Sequence, residues 1–218
     1  MREPFATRLL VALVIAMSSG CASLAPIAPS PTLFPDRASL VQFDFERDTL
    51  SQPPEGFETR SGHWAVVDSP TSLSGTQVLV RSGDDAAVIA VKSSEEAHSA
   101  AGEVGVRVFL GTSGAGLGCD GSNGGSSYLV KLEPTAGRVA LYKKSGDSLA
   151  MAAETPLVRA KGEWARLGIL CETNQVVGYV DGKPLLRDRT TVGSFELALF
   201  ADPGVTAQFD DLKCWSKK

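Results

Sequence analysis

Histidine is nearly absent from the 218-residue chain, with two, and cysteine, tyrosine and tryptophan are scarce at four, three and three. Two lone histidines with no Cys/His cluster leave nothing to build a tetrahedral zinc site. An excess of positive charge is also missing: the formal net charge is −4, and the longest basic runs are "YKK" and "SKK". Nucleic acid, which is held chiefly by clustered Lys and Arg on phosphates, is therefore excluded as a partner. Carboxylates do not alternate along any strand-like run. Glu95 and Glu96 are adjacent, as are Asp210 and Asp211, so on a strand each pair is expected to face opposite ways. That removes the facing acid and nucleophile that glycoside hydrolysis needs. The glycine-rich stretch "GTSGAGLGCDGSNGG" (111–125) lacks the Lys-Ser/Thr pair of a phosphate loop, and Cys119 stands where a dinucleotide fingerprint needs its third glycine. Within it "AGLGC" reads as a strand ending at Cys119, and the remaining glycines as bends and a mobile loop, either a plain connection or the rim of a binding site with Asp120 and Asn123 as polar contacts.

The apolar run near the N-terminus, Leu9–Met17, is about nine residues, half of what a spanning helix requires. With Arg2 and Arg8 before it and Ser18, Ser19 and Gly20 after it, the layout is that of a secretory signal covering residues 1–20. The following cysteine, Cys21, resembles the acylated cysteine of a bacterial lipobox, although Ser18 stands where that pattern usually has Leu. The resemblance implies an anchor through acylated Cys21 and, with Ala22 and Ser23 next rather than an acidic residue, the outer membrane. Cleavage after Ala22 or Ala25, giving a secreted or periplasmic protein, is the alternative. Residues 21–38, rich in Pro, Ala and Ser, then read as an extended tether, and 39–216 as one domain.

Within that domain the apolar residues alternate. "GEVGVRVFL" sets Val104, Val106 and Val108 against Gly105, Arg107 and Phe109, and "WARLGILC" sets Leu167, Ile169 and Cys171 against Arg166, Gly168 and Leu170. Period two with one apolar face is the pattern of half-buried strands. Similar runs occur at "LVQFDF", "HWAVV", "TQVLV", "AAVIAV", "SYLVKL", "RVALYKK", "QVVGYV", "FELALF" and "AQFDDLKCW", separated by Gly, Asp, Asn, Ser or Pro. With no long helical stripe, these predict an all-β fold of two antiparallel sheets packed face to face.

The order of these motifs resembles the jelly-roll sandwiches of the concanavalin A-like lectin and glucanase superfamily, in its laminin-G-like branch with the 3-keto-disaccharide hydrolase-like domains. The match rests on Phe43 and Phe45, Trp64 and Val66, Tyr128 to Leu132, the Asp181-Gly182 turn and the closing Phe209-Asp210-Asp211, and spans about residues 40 to 215. The resemblance implies a disulfide between Cys119 and Cys171, whose side chains alternate onto the inward face. Pairings involving Cys214 stay open. It also implies a structural calcium ion where the first and last strands meet, with Asp44 or Glu46 and Asp210 as oxygen ligands.

"GDSL" (Gly146–Leu149) spells an esterase nucleophile motif, but both histidines, His63 and His98, precede Ser148, the reverse of that family's order. A hairpin turn between Tyr142 and Met151 is the expected role. A non-catalytic carbohydrate-binding lipoprotein is the leading reading. Its candidate ligand residues are Tyr128, Tyr142 and Tyr179 as aromatic platforms with Arg107, Asp120 and Lys131 as polar contacts. The alternatives are a structural or protein-interaction lipoprotein partnered with another envelope protein, and a glycoside hydrolase-like enzyme.

Overall fold

Each alternating run named above is a strand in the computed structural model, which describes residues 39–92, 100–121, 126–146, 148–157, 159–172, 174–190 and 195–216. The first eight described strands are β1 (Ser39–Phe43), β2 (Phe57–Ser61), β3 (His63–Asp68), β4 (Gln77–Ser82), β5 (Ala87–Val91), β6 (Ala100–Leu110), β7 (Ala115–Gly121) and β8 (Ser127–Glu133). They are followed by β9 (Arg138–Ser145), β10 (Ser148–Pro156), β11 (Ala165–Glu172), β12 (Gln175–Val180), β13 (Lys183–Asp188), β14 (Phe195–Ala201) and β15 (Thr206–Ser216). The signal, Cys21 and the tether lie outside the described residues.

Two antiparallel sheets result. The eight-stranded sheet runs β13-β12-β11-β6-β15-β4-β3, with β1 also paired to β15, and the seven-stranded sheet runs β10-β9-β8-β7-β14-β5-β2. The consecutive strands β6 and β7 lie in different sheets, as do β14 and β15, so the chain crosses between layers at their centre. This is the all-β sandwich of two antiparallel sheets that the alternation predicts, in the jelly-roll form that the resemblance implies. Hairpin chemistry is visible at both sheet margins. Asp181 and Gly182 take φ of 47° and 79°, the left-handed pair a tight two-residue turn requires. Ser145 pairs with Ser148, so Ser148 and Leu149 of "GDSL" open the second strand of the β9–β10 hairpin, with Met151 opposite Tyr142.

The inward faces meet in one core that includes Val104, Val106, Val108, Leu117, Leu132, Leu167 and Ile169. Trp64 and Phe209 bring their rings to 5.6 Å within it. Cys119 of β7 and Cys171 of β11 are joined by a disulfide, with Cα atoms 6.7 Å apart, which ties the two sheets together covalently. Closing a loop with a sequence separation of 52 is worth about 4 kcal/mol in the chain-entropy account. Cys214 is free and half-buried against the core, and burial pushes its thiol up to about 12.

The strand "AGLGC" expected to end at Cys119 runs on to Gly121 as β7, a central strand, while Asn123 lies outside the described residues. One sequence expectation is corrected by the fold. Asp210 and Asp211 do not face opposite ways. A bulge between Asp210 and Lys213, with Asp211 at φ 51°, turns both carboxylates to the outer side of the eight-stranded sheet.

A strap, residues 69–76, crosses that outer side. Leu73 and Ser74 donate their amides to Asp210 Oδ2 at 2.8 and 2.9 Å, and Ser74 Oγ donates to Asp211 Oδ1 at 2.6 Å. Thr76 and Gln77 donate amides to Glu46 Oε1, both at 2.8 Å. Leu73 lies directly on Gly105, where an added Cβ would stand 2.4 Å from its Cδ2. Beside the strap, Arg166 pairs with Glu103 at 3.2 Å and with Asp211 at 3.0 Å. Charged residues that alternation would send to solvent are thus buried.

Candidate functional site

Alternation on β8 decides which side chains reach the outer face of the seven-stranded sheet. Tyr128, Val130 and Leu132 pack in the core, so Ser127, Leu129, Lys131 and Glu133 point outward. On β9, Val139 and Leu141 point in, leaving Arg138, Ala140 and Tyr142 outward. On β7, Ala115, Leu117 and Cys119 point in, and the outward positions include Gly116 and Gly118, with Gly114 just before the strand. Register places Leu129 between Tyr142 and Gly118, and Lys131 between Ala140 and Gly116.

The glycines are there because neighbours lie over them. A Cβ on Gly116 would stand 1.9 Å from the Val130 carbonyl oxygen, one on Gly118 2.7 Å from the Phe200 ring, and one on Gly114 2.8 Å from Glu133 Cγ. Past Gly116 and Gly118, Lys131 reaches across β7 to Asp202, beyond β14, at 2.5 Å. Asp202 Oδ2 also accepts the Gly114 amide at 3.0 Å.

Around Lys131 the groups alternate between donor and acceptor. Its Nζ is 3.7 Å from Glu133 Oε1 and 4.7 Å from the Tyr142 ring centre. Glu133 accepts from Arg138 Nε at 2.7 Å and from the Tyr142 hydroxyl at 2.9 Å. Arg138 donates onward to Glu154 at 2.8 Å. Burial, and then its hydrogen bond to Glu133, holds the Tyr142 phenol above its ordinary value, which keeps it a donor at neutral pH. The side chains of Lys131 and Glu133 are 7% and 9% exposed, those of Arg138 and Glu154 33% and 49%. Leu149 and Met151, each 47% exposed, form an apolar rim on β10. The result is a fixed base of charges with a half-buried aromatic ring and movable charged groups above it. Such a surface offers paired donors and acceptors to hydroxyl groups and an apolar face to C–H groups.

Of the six ligand residues read from sequence, this face holds Lys131 and Tyr142. Asp120, on β7, stands in register with Glu196 of β14, and its side chain lies outside the described residues. Tyr128 is in the core with no exposed surface, donating its hydroxyl to Asp188 at 3.1 Å, because it shares strand parity with Val130 and Leu132. Arg107 and Tyr179 belong to the other sheet, Arg107 under the strap and Tyr179 packed against Trp215 and Ala101. The sequence reading missed Glu133, Arg138, Glu154 and Asp202. The signal was there for the first two, which share outward parity with Lys131 and Tyr142.

The residues expected to hold calcium do not converge. Asp44 accepts the Glu46 amide, Glu46 accepts the strap amides of Thr76 and Gln77, and Asp210 those of Leu73 and Ser74. Among the described residues no group of three or more His, Cys, Asp or Glu is placed to hold a metal ion.

No protein-family model matches the sequence, and no curated protein does. Solved structures do match. The carbohydrate binding module CBM66 from Bacillus subtilis superposes with a TM-score of 0.59 at 19% identity, covering 74% of this chain and 96% of that one. The shared fold is a two-sheet antiparallel jelly-roll sandwich. Domain 4 of AbnA, a GH43 extracellular arabinanase from Geobacillus stearothermophilus in complex with arabinotriose, gives 0.56 at 16% identity over 83% and 94% of the two chains. The Crh5 transglycosylase gives 0.58 at 13% identity over 88% and 90%. At these identities the likeness is one of fold, and this sandwich carries binding modules and enzymes alike.

Proposed function

We propose that this protein binds carbohydrate without transforming it, through the outer face of the seven-stranded sheet. The observation that carries the reading is the cluster of Tyr142, Lys131, Glu133 and Arg138 beside a strand of outward glycines. The similar structures support it, since one is a carbohydrate binding module and another holds arabinotriose. What favours binding over catalysis is the state of the carboxylates: Glu133, Glu154 and Asp202 are each engaged by a cation. The proposal extends to location. Acylated Cys21 would hold the sandwich at the cell envelope, on the outer membrane, with the tether as spacer.

The exposed Leu149 and Met151 on the edge strand β10 favour a second reading, docking to another envelope protein. A glycan-binding screen on the mature protein separates the two. Carbohydrate binding is expected, weakened about tenfold or more by Tyr142→Ala, a loss of about 1.4 kcal/mol. Binding of no glycan, or binding indifferent to Tyr142, refutes the reading. The anchor is tested by Cys21→Ser, which should abolish lipid labelling and release the protein from the membrane fraction. Normal processing and fractionation of that variant would sink the anchor.

A further inference from the structure

Arg107 stands on the opposite side of the sandwich from Tyr142 and is 4% exposed. Its guanidinium is held only by neutral groups. Nε donates to Gln208 Oε1 at 2.8 Å, and Nη2 donates to Thr71 Oγ1 at 2.7 Å, to Ser69 Oγ at 3.1 Å and to Gln208. The neighbouring buried arginine on the same face, Arg166, has Glu103 and Asp211 as direct partners. Among the described residues Arg107 has none, and only the more distant charge of Asp210 acts on it. A cation so far withdrawn from water without a counter-ion is costly.

Its surroundings are aromatic on two sides. The guanidinium lies 4.7 Å from the Phe109 ring centre and 4.5 Å from that of Trp164, between two half-buried aromatic rings. Trp164 is fixed by donating Nε1 to Thr71 O at 2.9 Å, and Phe109 rests on Gly162. The remaining nitrogen, Nη1, has no partner among the described residues. Unlike Nε and Nη2 of Arg81, it is not sealed from solvent. One donor of a preorganised, uncompensated cation is therefore open, flanked by apolar surface.

We propose that Arg107, walled by Phe109 and Trp164, forms a second ligand subsite that takes the carboxylate of an acidic sugar, a uronate. The carboxylate accepts from Nη1 in a charge-assisted hydrogen bond, and the rings receive the C–H face of the sugar. The saccharide half of the assignment rests on the carbohydrate reading above; the anion half rests on Arg107 alone. Lys161, exposed beside Gly162 at the rim, adds positive charge at the entrance.

The test titrates the mature protein with tetragalacturonate, with its neutral methyl ester and with acetate, following binding by calorimetry and by Trp164 emission. The acid should bind about tenfold tighter than the ester, with a margin that shrinks as salt rises and with acetate competing against it. Arg107→Gln should erase the margin, read as the ratio of acid to ester affinity. Should Arg107→Gln fail to fold, Trp164→Ala removes one wall and keeps the cation, and it must lower acid affinity several-fold. Equal affinity for acid and ester, or a margin that survives both Arg107→Gln and Trp164→Ala, overturns the subsite. Loss of ester binding in Tyr142→Ala bears on the first site alone, so the two readings fail separately.

Discussion

Asp210 offers the most direct test of how the strap is held. It has no exposed surface, and burial, reinforced by the charge of Asp211, pushes its carboxyl up to about 6 despite the amides of Ser74, Asp211 and Leu73 that favour the ionised form. In the unfolded chain the same group titrates near 3.8. Between those values the folded state binds the extra proton. Stability from this group is therefore complete below about pH 4 and lost as pH rises through about 6, the opposite of a salt-bridged aspartate. At 1.36 kcal/mol per pH unit the change amounts to about 3 kcal/mol at most. For a domain of this size that is roughly 5 to 10 °C in melting temperature. Glu46, held below its ordinary value chiefly by the Gln77 amide, acts with the reverse sign and only at lower pH, below about 4.5. Urea unfolding of the wild type and of Asp210→Asn from pH 4 to pH 7 isolates the effect. The stability advantage of the wild type should shrink across the window, because the variant has no proton to lose. Parallel curves would show that the three amides fully offset burial and that Asp210 is ionised throughout.

Three further expectations concern the core and the glycine row. Cys119→Ser and Cys171→Ser should each cost about 4 kcal/mol, whereas Cys214→Ser should cost about 1 or less. Peptide mapping without reductant should recover the Cys119–Cys171 pair, and a bridge to Cys214 would contradict the structure. Gly116→Ala should destabilise by several kcal/mol, since its Cβ would meet the Val130 carbonyl of the neighbouring strand rather than a side chain that can turn away. A variant as stable as the wild type by thermal melting would mean that β7 shifts freely.

Strands with one apolar face were legible because burial of that face leaves a period-two record in the sequence, as in Val104, Val106 and Val108. β10 left no such record. Its residues, "SLAMAAETP", are mostly exposed on both faces at a sheet margin, and their composition suits a helix as well as a strand. β7 was legible only as far as Cys119; its glycines usually weaken strands but here make room for the Val130 carbonyl and the Phe200 ring. The site was half legible for a related reason. Lys131 and Tyr142 could be picked out by chemical type, yet Tyr128 was chosen with them although it lies three residues from Lys131 and so faces the other way. The buried charges under the strap could not be foreseen. Nothing in the spacing of Glu103, Arg107, Arg166 and Asp210 says that residues 69–76 return to cover them.

The bond between Cys119 and Cys171 also bears on how the molecule carries a load. The N-terminal strand β1 hangs on β15, and both belong to the eight-stranded sheet, whereas Tyr142 and Lys131 stand on the seven-stranded one. Tension between the N-terminal side and anything gripped at Tyr142 must therefore pass from one layer to the other. Packing between apolar faces has no strength in the direction that peels them apart beyond its own free energy. The disulfide links β11 and β7, each one strand removed from the points where such tension enters and leaves: β6 separates β11 from β15, and β8 separates β7 from β9. It works as a rivet between two plates, so that a pull unzips hydrogen-bonded ladders within a sheet before it can delaminate the pair.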